Sequence, residues 1–407
     1  MGTHALLSPS GADRWMTCPG SVLLTKDLPE ETSEYAQEGT NYHLLAQLCL
    51  EQEKDALEFV GMPFEDESVV TEDNAEYTQL YVDHIRQETA KGGTVVIEDK
   101  LPLAQITGEK GAEGTSDCAI IRDDVVVVRD LKFGRGVAVK AQNNRQLKMY
   151  ALGAIEKHGM WDLVKEVDLG ICQPRLTSEI SQAIIPIDEL RMFKQEVQIV
   201  ARPILKALET GERLPLNPSE KACKFCKAAK AGICDALTMT VRNAAEEGFE
   251  NLDEPKIIQT PKGPMTVSEA DRLGEMMKLA DLAEIYVKGV RAAVESALLA
   301  SRPVTGYKLV QGRKGARQWT NEEAIEEALK KKRVKHKEMY TYKLITPAKA
   351  EKKWSKAKPT WWAELSEEGK IAQSSGSISV APTEDPRPAY TVEPQESGFE
   401  ESIEDLF

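Results

Sequence analysis

The sharpest step in hydrophobicity along the chain falls at 124–132, DVVVVRDLK, where four consecutive valines run into charged residues. Four β-branched residues without polar interruption suit a central strand buried on both faces, with polar chemistry at its exit. Two strand patterns precede it, TVVIEDKL at 94–101 and TSDCAII at 115–121, and Asp123-Asp124 supplies the turn before the valines. A helical segment follows at 142–157, from Gln142 past Tyr150, and shorter strand patterns lie near 167–173 and 182–187. Ahead of all these, 8–50 reads as two helices. One is capped by Ser10 and runs through Trp15; the other is capped by Thr40 and carries Leu44, Leu45 and Leu48. Helix, three strands, helix, strand is the order of an α/β sandwich built on a small mixed sheet.

Past residue 190 a helix leads to a cysteine-rich stretch, Cys223 to Cys234. A long amphipathic helix is expected over 268–300, with Ser268 as its cap and Leu273, Met276, Leu279 and Leu282 at helical spacing. The segment 302–358 is dense in Lys and Arg, and the stretch from about 371, rich in Ser, Pro and Glu, reads as disordered. The expected divisions are a main domain at 1–240, a helical extension at 241–300, a basic, aromatic-containing region at 301–370 and an acidic tail at 371–407.

A chain of 407 residues, 41% hydrophobic and 29% charged, is long enough for one sizeable core with appended elements. No run approaches the roughly 18 uninterrupted apolar residues of a membrane span, and the start MGTHALLSPS lacks a signal-peptide pattern, so a cytoplasmic location is expected. In that reducing compartment seven cysteines point to metal before disulfides. The net charge of −14 argues against a simple electrostatic coat on nucleic acid, so any DNA-acting surface must be a local basic patch.

Hydrolysing a phosphodiester at neutral pH requires a divalent metal that neutralises the phosphate and acidifies a water. Hard cations take oxygen ligands, and acids at strand ends are a natural cradle. Asp117 closes the small-residue run GTSD, and Asp130 sits at the end of the valine strand in Asp130-Leu131-Lys132. Residues two apart on a strand share a face, so Asp130 and Lys132 point at one site, while Leu131 turns to the core with its carbonyl still available to a metal. Taken alone, Asp-x-Lys at a strand exit is more often a solvated ion pair. Upstream, Gly39-Thr40-Asn41-Tyr42-His43 places a histidine in the first turn of a helix, a further candidate ligand. Downstream, Gln146 and Tyr150 are four apart and share a helix face.

In order, GTNYH, GTSD, DLK and QLKMY resemble the motif series of the RecB-like branch of the PD-(D/E)xK nucleases, which includes the CRISPR-adaptation nucleases. The resemblance covers about 8–236 and implies a restriction-endonuclease-like fold. It implies that His43, Asp117 and Asp130, with the Leu131 carbonyl, hold Mg2+ or Mn2+, that Lys132 is catalytic, and that Gln146 and Tyr150 support the DNA or the site. Arg135 and Lys140 just beyond the motif, and Lys330, Lys331, Lys332 and Arg333 further on, are the expected DNA contacts. The acid before Lys132 is Asp where many relatives carry Glu, a variation the motif accepts.

Cys223-x-x-Cys226 and Cys234 lack a local fourth partner, and Cys18 is the candidate far upstream. Four thiolates suit an iron–sulfur cluster or structural zinc. The resemblance implies a four-iron four-sulfur cluster on Cys18, Cys223, Cys226 and Cys234, stapling the two ends of the domain. Cys49, Cys118 and Cys172 fall within apolar patterns and are expected in the core.

Trp319, Tyr340, Tyr342 and Trp354 interleave with the cations of 302–358, the mixture of a surface that tracks phosphates and stacks bases, although Glu322, Glu323, Glu326 and Glu327 would also pair with a solvated lysine helix. The tail Glu404-Asp405-Leu406-Phe407 resembles the tips by which single-strand-binding proteins recruit partners; an inert solubilising tail is the plainer alternative. With no GxxxxGK[ST] loop, any helicase motor must be a partner. The expectation is an exodeoxyribonuclease acting at single- or double-stranded DNA ends in recombination, repair or replication. A phage-encoded origin, possible oligomers and a recombinase or single-strand-binding partner go with it. A non-cleaving DNA-end adaptor and a CRISPR-type spacer-processing nuclease are the alternatives.

Overall fold

The computed structural model describes residues 5–29, 34–135, 138–247, 256–260, 263–267 and 269–308, with Thr360. The chain divides into a compact unit, Met1–Gln311, and a second unit, Gly312–Phe407. The expected basic run, the aromatics interleaved with it and the acidic tail lie outside the described residues.

The first unit is α/β: a five-stranded mixed sheet flanked by helices, consistent with a restriction-endonuclease-like fold. Its strands are β1 (Thr94–Pro102), β2 (Glu113–Ile121), β3 (Val125–Leu131), β4 (Glu166–Cys172) and β5 (Ser181–Pro186), adjacent in sequence order. Only β3 and β4 run parallel. A parallel pair needs a crossover, and α6 (Arg145–His158) supplies it. Asn144 caps α6 by accepting the Leu147 N–H at 3.0 Å, and Gly159 closes it with φ +65. Helix and sheet approach closely at Gly153, where a Cβ would lie 2.7 Å from that of Leu101.

The valine run is buried on both faces of the sheet. Val126 and Val128 join the main core beneath α6 and α7 (Ile187–Thr210), with Trp15 of α1 (Ala12–Thr17). Val127 and Leu131 face the other layer with Cys118 and Ile120, packed against Ala46 of α3 (Glu34–Glu51) and Tyr81 and Ile85 of α4 (Glu72–Thr89). Each large apolar side chain removed from water in this way is worth about 1.5–3 kcal/mol. Alternation along β3 then sends Asp130 toward α6 and Arg129 toward α4. Arg129 is fully buried there, giving two hydrogen bonds to the Asp168 carboxylate and one, at 2.9 Å, to His84 Nε2. It fits because position 170 is glycine; a Cβ would stand 2.7 Å from Arg129 Cδ.

Three local expectations are corrected. Ser10 does not cap α1, whose flanking residue is Gly11 with no side-chain cap; the Ser8 hydroxyl instead accepts the Gly11 N–H at 3.3 Å. Thr40 is not a cap either, because α3 begins at Glu34 and carries Thr40 and His43 in its interior. Gly39 weakens a helix by about 1 kcal/mol, but Tyr42, Leu45, Ala46 and Cys49 pack well enough to carry the helix through it. Third, the amphipathic stripe of α11 (Glu269–Leu299) is mostly exposed: Leu273 and Met276 face solvent and Leu282 is buried. Ser268, its expected cap, lies outside the described residues.

The sequence reading leaves 51–93 unassigned, where α4 forms behind its Thr71 cap. Its buried positions, Ala75, Thr78, Tyr81, Val82, Ile85 and Glu88, make a narrow face amid charge. The hairpin of β6 (Lys256–Thr260) and β7 (Gly263–Val267) is likewise unanticipated. After α2 (Gly20–Thr25), α5 (Ala104–Thr107) and α7 come α8 (Glu220–Cys223), α9 (Lys227–Lys230) and α10 (Asp235–Glu247). Cys223, Cys226 and Cys234 share a small apolar cluster with Leu237 of α10 and Leu282 of α11. Among the described residues no helix is long and apolar enough to cross a membrane.

Candidate active site

Sheet register assembles the site. The antiparallel pair Cys118↔Arg129 sets Asp117 beside Asp130, and the pairs Ile97↔Cys118 and Asp99↔Ser116 set Glu98 across from Asp117. Three carboxylates thus meet on three neighbouring strands. Glu98 carries φ +48, a left-handed conformation rarely held by a non-glycine residue inside a strand.

The helices complete the group from either side. From α3, His43 Nδ1 reaches Asp117 Oδ1 at 3.2 Å. Asp117 Oδ2 accepts the backbone N–H of Leu131 at 2.7 Å, locking the carboxylate to the end of β3. Lys132 Nζ lies 3.0 Å from Asp130 Oδ1 and 2.8 Å from Oδ2. From α6, the Gln146 amide donates to Asp130 Oδ1 at 3.3 Å and to Tyr150 Oη at 3.0 Å. Asp130 Oδ2, fully buried, accepts no well-directed hydrogen bond of its own. Tyr42 next to His43 stacks on Phe133 next to Lys132, with ring centroids 4.2 Å apart, so α3 and the end of β3 are clamped together.

The electrostatics follow from packing like charges in a partly dry place. Burial pushes Glu98 up to about 7, helped by Asp117 and Asp130 and opposed by His43. Burial likewise raises Asp130, with Lys132 pulling against it and Asp117 adding to it. For Asp117 burial is outweighed by the charge and hydrogen bond of His43, by Lys132 and by the Leu131 N–H, which hold it below the ordinary carboxylate range. Burial alone would lower His43, but Asp117 and Asp130 carry it up to about 9. The protonated imidazole is therefore standing in for a cation among the acids.

His43, Glu98 and Asp117 each offer a ligand atom, all within 4.8 Å of one another, in a shallow surface depression that Leu131 and Tyr81 also line. A histidine nitrogen with carboxylate oxygens suits a hard or borderline divalent ion. Glu98 was not among the residues expected from the sequence. Only the register of β1 against β2 distinguishes it from the adjacent Asp99, which points away to Lys157 and His158. A cation entering this site must displace the protons on His43 and Glu98. Apparent Mn2+ affinity is therefore expected to rise with pH between about 6 and 9, since deprotonation frees the ligands. Glu98→Gln should weaken binding by about tenfold or more and flatten the limb near pH 7; titration calorimetry across that range checks both.

Of the remaining expected contacts, Arg135 and Lys140 lie exposed on the segment between β3 and α6. Lys330, Lys331, Lys332 and Arg333 lie outside the described residues. Cys49, Cys118 and Cys172 are buried core thiols, with burial raising Cys118 and Cys172 to about 12. Cys18, Cys223, Cys226 and Cys234 are free thiols, all buried. Their sulfurs are not drawn into a set as tight as that of His43, Glu98 and Asp117. Burial raises the Cys223 thiol to about 11, and Cys223, Cys226 and Cys234 share one apolar cluster that does not include Cys18. The backbone N–H of Asn217 donates to Cys18 Sγ at 3.2 Å, tying the two distant segments.

Among solved structures, the chain is similar to a candidate exonuclease from Eubacterium rectale, with 14% identity and a TM-score of 0.31 over 56% of this chain and 92% of that one. It is also similar to the protein SSO0001, with 13% identity and a TM-score of 0.22 over 55% of this chain and 96% of that one. A family model matches residues 4–388, nearly the whole chain, and on that match the chain belongs to the DUF2800 family, described as a protein of unknown function.

Proposed function

We propose that this protein is a divalent-metal-dependent deoxyribonuclease that degrades DNA from its ends. The observation that carries the reading is the convergence of His43, Glu98, Asp117 and Asp130 on one sheet end with Lys132 paired to Asp130. A structural ion pair does not need a second and third acid beside it, and like charges held together cost free energy unless a cation joins them. Mg2+ or Mn2+ bound there would neutralise a scissile phosphate and acidify a water.

The chain's own groups have separate tasks. His43, Glu98 and Asp117 would hold the ion, and Asp130 would share it through Oδ2, whose close neighbour is the Lys132 ammonium. The Leu131 N–H keeps Asp117 aimed, and the Leu131 carbonyl would be a further oxygen ligand to the ion. Lys132 would donate to a phosphate oxygen or to the water as charge develops. Gln146 fixes Asp130 and is itself held by Tyr150, a positioning pair behind the acids. Arg135 and Lys140, exposed just past the motif, would take backbone phosphates.

The four thiols also fit a metal group: buried, free and brought from both ends of the unit, with an amide directed at Cys18 as it would be at a thiolate. A four-iron four-sulfur cluster is the reading favoured by four cysteines without a histidine, and zinc is its competitor. The test of the enzyme is end-labelled single- and double-stranded DNA with Mn2+. Progressive shortening from an end is expected, abolished by chelation; intact label after prolonged incubation would sink the reading. Metal analysis of anaerobically purified protein tests the cluster: iron with acid-labile sulfide is expected, and stoichiometric zinc would replace that assignment without touching the nuclease.

A further inference from the structure

Phe225 is 72% exposed, although it lies between two buried cysteines, Cys223 and Cys226. Burying such a ring would stabilise the fold, yet it stands in solvent while the cysteines on either side of it are buried. One exposed aromatic is ordinary on a protein surface. This one has unusual company. Lysines recur every third residue around it, Lys221, Lys224, Lys227 and Lys230, with no acid between them, in a chain of net charge −14. The run spans α8 and α9, and Lys221 and Lys230 are exposed.

The same patch connects to the acid cluster. Lys221 reaches Asp13 of α1 at 3.5 Å, and Arg145 approaches the same Asp13 oxygen at 3.8 Å. Arg145 also donates to Thr17 at 3.0 Å and meets Glu196 of α7 at 3.5 Å. It opens α6, and the next residue, Gln146, donates to Asp130. The lysine loop and Arg145, one residue before Gln146, thus meet at Asp13, with Asp13 and Glu196 offsetting part of their positive charge.

We propose that Phe225 and its lysines form a stacking platform for single-stranded DNA, whose strand then passes Arg145 to the acid cluster. Aromatic rings stack bases without regard to sequence, and lysines follow the phosphates. The inference rests on the reading of DNA as the substrate, but its test separates the two. With EDTA present to prevent cleavage, fluorescence anisotropy is read for fluorescein-labelled oligothymidylate and for a duplex. Phe225→Ala is expected to weaken single-strand binding by about tenfold, Phe225→Trp to retain it, and duplex binding to change by less than about twofold. Lys224→Glu with Lys230→Glu should weaken both ligands and reduce the salt dependence.

Iron content and melting temperature serve as folding controls, since the ring lies between two of the cysteines. Single-strand affinity unchanged in Phe225→Ala, equal losses on single strand and duplex, or no binding by the wild-type protein would each overturn the platform. Phe225-dependent binding without any Mn2+-dependent cleavage would leave the platform standing and remove the nuclease. Cleavage that is indifferent to Phe225 would do the reverse.

Discussion

Lys132→Ala is expected to reduce Mn2+-dependent shortening of end-labelled DNA by about a thousandfold, as is Asp130→Asn. The two residues form one unit: the ammonium lies 2.8 Å from a carboxylate that is 1% exposed. Burial would lower Lys132, but Asp130 and Asp117 more than compensate and raise it, so it remains charged at any working pH. Its task in the proposed reaction is therefore to donate a hydrogen bond and hold positive charge, not to act as a base. Lys132→Arg should not restore activity, because a planar guanidinium cannot replace a compact ammonium in a packed site. Because the pair acts together, the double variant should lose little more than either single one. Turnover by Lys132→Ala within about tenfold of wild type, on protein that melts normally, would remove this lysine from the chemistry.

Arg129→Ala should lower stability by about 3–5 kcal/mol, because it leaves the Asp168 carboxylate buried without its counter-ion. For a unit of this size that corresponds to a drop in Tm on the order of 10 °C. Arg129→Met, together with Asp168→Leu, should cost much less than the single change, since an apolar pair of similar volume leaves no buried charge. The same network makes stability depend on pH. Burial and the neighbouring Arg129 lower His84 to about 4 from 6.5. Burial would raise Glu88, but hydrogen bonds from Lys91 and Arg122, with the charge of Arg129, lower it to about 2 from 4.5. Both groups bind protons more readily unfolded than folded. The contribution of this network to stability is therefore full above about pH 6.5 and falls first through the His84 window down to about 4. It falls again through the Glu88 window, from about 4.5 to about 2. Melting curves across this range check the sign, and His84→Gln should remove the upper limb. A Tm difference between wild type and His84→Gln that stays constant from about pH 7 to about pH 4 would contradict the assignment.

Several features were legible in the sequence because they depend on spacing along one segment. The valines of β3 announce a strand buried on both faces, and Asp130-x-Lys132 must then share one face. Gln146 and Tyr150, four apart on α6, do meet through a hydrogen bond. The caps at Ser10 and Thr40 were misread because a good capping residue is only a local preference. Tertiary packing of Tyr42, Leu45 and Cys49 outweighs it and carries α3 through Gly39. The stripe of α11 is apolar, yet most of it faces solvent among the described residues, because periodicity identifies a face and not what covers it.

By itself, the sequence determined the five strands of the main sheet with α6 among them and the pairing of Asp130 with Lys132, which follow from a period of two or of about four along a continuous stretch. The candidacy of His43 and Asp117 rests on the resemblance of their motifs, and α4 and the β6–β7 hairpin carry no such signal. Only the tertiary structure decided that Glu98, and not Asp99, stands with Asp117. That choice is a matter of register between β1 and β2, where a slip of one residue would exchange the two faces. It also decided that Arg129 is a buried structural ion and that Asp130 beside it faces the acid cluster. Both sit at the charged end of the same strand, and what separates them is which layer each meets: His84 and Asp168 on the one side, Lys132 and Gln146 on the other. Those partners come from segments far apart in the chain, so their meeting depends on the sum of many weak packing contacts that no local pattern records.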